Sequence, residues 1–161
     1  MKTLGIDPGT ATTGWAILEE SLGKINSLAH GCICTPKEKS TAQRLKETSN
    51  DLKKIIKKYK PEEAAVEDIF FFKNLKTAVK VSQSRGAILL TLEELKVKIF
   101  EYTPLQVKQA LTGYGRAEKR QIQIMTKEFL NLKSIPKPDD VADALATGIC
   151  HINSRKINSL K

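Results

Sequence analysis

Cysteine, long apolar runs and negative charge are all in short supply in this chain, and each shortage excludes something. Cys32, Cys34 and Cys150 are an odd number of thiols, two of them two positions apart. They form no even set for a disulfide framework, and they fit a reducing compartment. His30, Cys32 and Cys34 alternate along what reads as a strand, with Cys150–His151 as further donors, but the paired CxxC spacing of a zinc site is missing. GCIC therefore reads as a buried strand in which cysteine acts as a small hydrophobe. No apolar run approaches the roughly 20 residues that cross a bilayer, so no membrane association is expected. The opening MKTLGIDPGT has too short an apolar stretch for a signal peptide, which leaves a cytoplasmic protein as the expectation.

What is present is a chain of 161 residues with 27 Lys and Arg against 18 Asp and Glu, a formal net charge of +9. This length suits one domain, 1–161, with the last few residues a flexible tail. A domain of that size buries roughly 70% of its unfolded surface. The lysines are spread along the chain as far as Lys161 rather than gathered in a tail. That distribution points to a folded basic surface and a polyanionic partner.

Periodicity gives the element order. KTLGID (2–7) reads as a strand, WAIL (15–18) starts a second, and residues 25 to 34 form a third after a turn at SLGK. From Ser40 the spacing of Leu45, Leu52, Ile55, Ile56 and Tyr59 becomes helical. AAVEDI (64–69) is a strand, 75–95 a long helix, and VKIFEY (97–102) a strand. A short helix follows from Pro104, another spans 117–130, and a last one runs from about Asp139 to Asn153. A hairpin meander followed by β-α-β units implies an α/β fold, a mixed sheet with helices on both faces. Ligands of such sheets sit beyond the carboxyl ends of the parallel strands.

Acidic residues appear where that end should be. Asp7 closes the first strand and Glu67 lies near the end of the fourth, each interrupting a run that otherwise reads as buried. A buried, unpaired carboxylate costs several kcal/mol or becomes neutral, so each needs a partner. PDDVADALA (138–146) places Asp140 and Asp143 at i, i+3 on one helix face, with Asp139 set to be the N-cap. Taken alone, these aspartates could simply complement a helix dipole. If the four carboxylates converge, their repulsion calls for hard divalent cations such as Mg²⁺ or Mn²⁺. Two such ions about 4 Å apart suit phosphodiester cleavage.

LGIDPGTATTGWAIL, VEDIFFFKN, QVKQALTGYGRAEKRQIQIM and DDVADALATGICH, in that order, resemble the motifs of the RuvC family of bacterial Holliday-junction resolvases. The resemblance implies an RNase-H-like fold and a homodimer that makes Mg²⁺-dependent paired nicks in a four-way DNA junction. It also implies a branch-migration motor of the RuvA and RuvB type as partner. It implies that Asp7, Glu67, Asp140 and Asp143 form the catalytic and metal-binding tetrad. Lys108 and Lys119 would contact DNA near the scissile phosphate, with Lys119 assisting the transition state. Phe70 would stack on an unpaired base. Ser82 and Gly86 on the long helix are small residues suited either to packing on the protein's own sheet or to helix approach across a two-fold axis. Lys80 and Arg85 on that helix are further candidates to reach DNA. IDPGT also resembles the first phosphate loop of the actin and Hsp70 ATPases, but the chain lacks room for their second domain. A junction-binding module without catalysis, and other RNase-H-like nucleases, are the alternatives.

Overall fold

The computed structural model describes residues 1–69 and 75–159, with side chains described as far as Arg155 in the last helix. The elements are β1 (Lys2–Asp7), β2 (Thr12–Ser21), β3 (Lys24–Cys34), α1 (Thr41–Tyr59), β4 (Glu63–Glu67), α2 (Leu75–Glu94), β5 (Lys98–Tyr102), α3 (Pro104–Thr112), α4 (Lys119–Phe129) and α5 (Asp139–Ser159). The expected order holds. β2 starts earlier than its apolar run because the ladder to β3 extends from Thr12↔Cys34 to Ser21↔Lys24, and Thr13 and Gly14 of the TTG segment are buried despite carrying no large apolar side chain. The hairpin turns through Leu22 and Gly23, both at positive φ, in the twist sense that suits a tight antiparallel connection.

The sheet order is β3-β2-β1-β4-β5. β1 and β3 pair antiparallel with β2, whereas β4 pairs parallel with both β1 and β5. Successive side chains alternate faces. Leu4, Ile6, Ile17, Ala64 and Val66 pack with Leu52, Ile56, Ile88 and Leu92 of α1 and α2. Ala16 and Leu18 pack on the other face with Val107, Ile122, Val141, Leu145 and Ile149 of α3, α4 and α5. Capping boxes at Ser40–Gln43 and Thr103–Gln106 fix where α1 and α3 begin, and Pro104 occupies the first turn of α3. Among the described residues, no helix is long and apolar enough to cross a membrane.

β3 is an edge strand, which corrects the reading of GCIC as buried. Only Ile33 is buried there, and Cys34 is exposed. Cys32 Sγ and Cys34 Sγ lie 3.4 Å apart, while His30 Nδ1 meets Ser27 Oγ instead of joining them.

Candidate active site

Asp7 ends β1 and Glu67 ends β4, and the parallel register Ile6↔Val66 makes them neighbours in adjacent strands. Leu4 and Ile6 face α1 and α2, so alternation sends Gly5 and Asp7 to the α5 face, where Glu67 also points. Glycine lets α5 come close. A Cβ on Gly5 would collide with the Ala144 carbonyl, and one on Gly14 with the Asp140 carbonyl. Gly14 pairs with Asp7 across the ladder. The first turn of α5 is thereby pressed onto the strand pair that ends in Asp7, bringing Asp140 and Asp143 beside it.

The electrostatics record that convergence. Burial, then the charge and hydrogen bond of Glu67, then the charges of Asp143 and Asp140, push the Asp7 carboxyl up to about 9. Burial also raises Glu67, against the opposing pull of its hydrogen bond with Asp7 and the charges of Lys119 and Lys108. The pair holds a proton that isolated carboxylates would have lost at neutral pH. Burial raises Asp143 too, and Lys119 offsets part of that shift.

Among the described residues, no three His, Cys, Asp or Glu side chains close into a ready-made metal cage. The donors instead line an open strand end, and their chemistry suits a hard cation. All are carboxylate oxygens, and the repulsion that forces a proton onto the Asp7–Glu67 pair is what a divalent ion would relieve.

The two lysines singled out by resemblance meet this cluster in one cleft of about 180 Å³, lined by Glu67, Pro104, Val107, Lys108, Lys119, Ile122 and Asp143. That volume is enough for roughly half a dozen waters, and so for a hydrated ion or a phosphate group. Lys119 Nζ lies 3.2 Å from Asp143 Oδ2 and 3.2 Å from Asp139 Oδ2. Burial acts to lower the Lys119 pKa, but the two aspartates outweigh it and the net shift is upward, which keeps the ammonium charged.

Asp139 is not the N-cap expected from sequence. It is the first residue of α5 itself, and its carboxylate turns sideways to Lys119 and to Gln123 Nε2, 2.9 Å away. Arg85 also departs from its expected role. Its guanidinium bridges Asp68, at 3.1 Å, and Glu101, and its side chain is only 17% exposed, so it braces the loop after Glu67 rather than reaching out for DNA. A Cβ on Gly86 would meet nothing, which rules out close packing on the protein's own sheet. Ser82 is likewise exposed, its hydroxyl bonded to the Ala78 carbonyl. Leu75, Val79 and Leu90 of the same helix are exposed as well. Phe70, Phe71 and Phe72 lie outside the described residues. Gln123 and the Arg85 brace were missed from sequence because an exposed glutamine and a helical arginine carry no signal until their partners are placed.

The chain matches a family model described as Crossover junction endodeoxyribonuclease RuvC over residues 3–151. It is 53% identical over 158 residues to the protein of that name from Halothermothrix orenii, covering 98% of this chain and 96% of that one. It is 47% identical over 159 residues to the protein of that name from Syntrophomonas wolfei, covering 99% and 92%. Its backbone is similar to Thermus thermophilus RuvC in complex with Holliday junction substrate, with a TM-score of 0.92, 31% identity and coverage of 99% and 97%. The yeast mitochondrial Holliday junction resolvase Ydc2, at 13% identity and a TM-score of 0.69, shares the fold alone.

Proposed function

The chain belongs to the RuvC family and has its RNase-H-like fold, and from that premise we propose that the open end of its sheet cuts four-way DNA junctions. The observation that carries this reading is the single cleft in which Glu67 and Asp143 meet Lys108 and Lys119. Carboxylates for cations and ammonium groups for phosphate are both needed to hold a phosphodiester at a metal site. The chain works as one nuclease domain in the cytoplasm, the compartment that holds a bacterial chromosome.

Asp7, Glu67, Asp140 and Asp143 are the residues that would hold divalent cations, two per site, with Mg²⁺ as the ion and Mn²⁺ able to substitute. Bound there, such ions would supply Lewis acidity to the attacking water and to the leaving oxygen. The protein's own groups do the rest. Asp7 and Glu67 hold a shared proton that they would have to release to ligate a cation. Lys108 fixes the backbone phosphate, and Lys119 stabilises the charge that builds on the phosphorus oxygens. Attack by water with the 3′ oxygen leaving gives a 5′-phosphate and a 3′-hydroxyl. Phe70 stacks on an unpaired base at the junction centre, an interaction worth about 1–3 kcal/mol.

A homodimer supplies two such sites for symmetric nicks. The support is the stripe of Leu75, Val79, Ser82, Gly86 and Leu90 along α2, all exposed or facing open space. Spacings of four, three, four and four place them on one face, small in the middle and apolar at the ends. Val79→Asp should shift the chain to monomer in sedimentation. A branch-migration motor of the RuvA and RuvB type is the partner that delivers the junction.

The test is an end-labelled synthetic junction incubated with Mg²⁺ or with EDTA, beside Asp7→Asn. Paired symmetric nicks that need Mg²⁺ and vanish in the variant support the reading. Tight binding without cleavage across several junction sequences would replace it with a binding module, and equal cleavage of duplex or hybrid substrates with another RNase-H-like nuclease.

A further inference from the structure

We infer that Asp139 is a positioning residue that keeps the Lys119 ammonium at the rim of the carboxylate cluster; the inference rests on the role given to Lys119 above. Lysine is a flexible point charge, and ordering its side chain costs up to about 2 kcal/mol of rotamer freedom. A single exposed carboxylate contact would hold it weakly. Here Lys119 Nζ is shared between two oxygens, Asp143 Oδ2 and Asp139 Oδ2, each at 3.2 Å.

The two aspartates differ in kind. The charges that raise Asp7 are those of Glu67, Asp143 and Asp140. Asp139 acts instead on Asp143 and Lys119. It stands outside the cation cluster, with its side chain 60% exposed against 27% for Asp143. Its other oxygen, Oδ1, accepts from Gln123 Nε2 at 2.9 Å. Lys119 and Gln123 are four residues apart on α4 and share a face, so α4 grips the first residue of α5 with two prongs. Were Asp143 to give its oxygens to a cation, Asp139 would be the carboxylate left to aim Lys119. The exposure of the contact means that it contributes direction, not stability.

A purely long-range charge effect predicts the opposite outcome. Removing a negative charge beside a DNA site tightens binding and leaves the rate unchanged or faster. The clasp predicts a slower chemical step with binding equal or tighter. The experiment is single-turnover cleavage of a prebound junction in Mg²⁺, with junction affinity measured in EDTA, for the wild type, Asp139→Ala, Lys119→Ala and the double variant. Asp139→Ala is expected to cut about tenfold more slowly with affinity within about threefold of wild type and an unchanged melting midpoint, and to add nothing in the Lys119→Ala background.

A wild-type rate for Asp139→Ala beside a slow Lys119→Ala overturns the inference and leaves the Lys119 assignment standing. A wild-type rate for Lys119→Ala overturns that assignment itself. Equal losses from Asp139→Ala in both backgrounds place its effect elsewhere and overturn the clasp. Should Lys119→Ala cut too slowly to follow, Gln123→Ala decides, because it leaves both charges in place. A slowed rate with unaltered binding supports the clasp, and an unaltered rate overturns it.

Discussion

β4 carries two glutamates on the same face, four residues apart, and the structure treats them in opposite ways. Glu63, at the start of the strand, accepts from His151 Nε2 at 2.7 Å, and His151 Nδ1 meets the Tyr102 hydroxyl at 2.8 Å. A carboxylate only accepts, so the imidazole proton sits on Nε2 and Nδ1 accepts from the tyrosine. The His151 side chain is 1% exposed, and its ring packs 4.4 Å from that of Phe100. Every polar atom of that ring has a partner, and the network ties α5 to β4 and β5. Glu67, at the other end, is bonded to another acid in an open cleft. The same residue type on the same strand thus serves as a closed structural tie at one end and an unrelieved charge at the other. A polar group poised for chemistry differs from a structural one in what it still lacks.

The strongest way to break the contrast is at the open end. Asp7→Asn should reduce junction cleavage on the order of 10³-fold or more, because it removes one of the proposed cation ligands without changing side-chain volume. The same variant should melt no lower than wild type without metal, since an amide there needs no proton uptake on folding. Gly14→Ala comes next. Its added methyl strikes the Asp140 carbonyl, so a loss of about 1–3 kcal/mol in denaturant unfolding is expected, together with weakened cleavage. At the closed end, Tyr102→Phe leaves Nδ1 of His151 unsatisfied and should cost about 1–3 kcal/mol of stability while the cleavage rate of the folded protein is kept. A large activity loss there would erase the distinction between the two ends.

The smallest effect is a pair of opposite pH slopes. The Asp7 carboxyl is raised in the folded state, so the folded protein binds more protons than the unfolded chain from the ordinary carboxylate range up to about 9. Stability held below that range is therefore lost as pH rises through it, and Mg²⁺ should raise the melting midpoint more at pH 8 than at pH 6, both roughly within that window. Burial lowers the His151 pKa, against the raising effect of Glu63. Its contribution is present above the ordinary histidine value and is lost as pH falls below it. Asp7→Asn should flatten the alkaline slope alone. A variant that flattened both would show the two ends to be coupled.

The sequence carried the element order because apolar spacing changes from two to helical at Ser40, and it placed Asp7 and Glu67 at strand ends because each interrupts a run that reads as buried. The Glu63 tie was hidden, since a glutamate at a strand start and a histidine at 151 in a late helix look solvated until α5 is laid across the sheet. Asp139 was misread for the related reason that aspartate is a favoured N-cap just before a helical run. Only the approach of α4 gives it Lys119 and Gln123 as partners. Arg85 read as a free cation because Asp68 and Glu101 come from other elements.

The seating of α5 on Gly5 and Gly14 fixes how this enzyme tolerates change. The spacing between the strand ends at Asp7 and Glu67 and the α5 carboxylates Asp140 and Asp143 is set by main chain lying against main chain at Gly5 and Gly14. Apolar residues around α5 can drift among leucine, isoleucine and valine while the carboxylates keep their separation. An engineer wishing to retune stability has a wide choice of positions there, and two at which there is none.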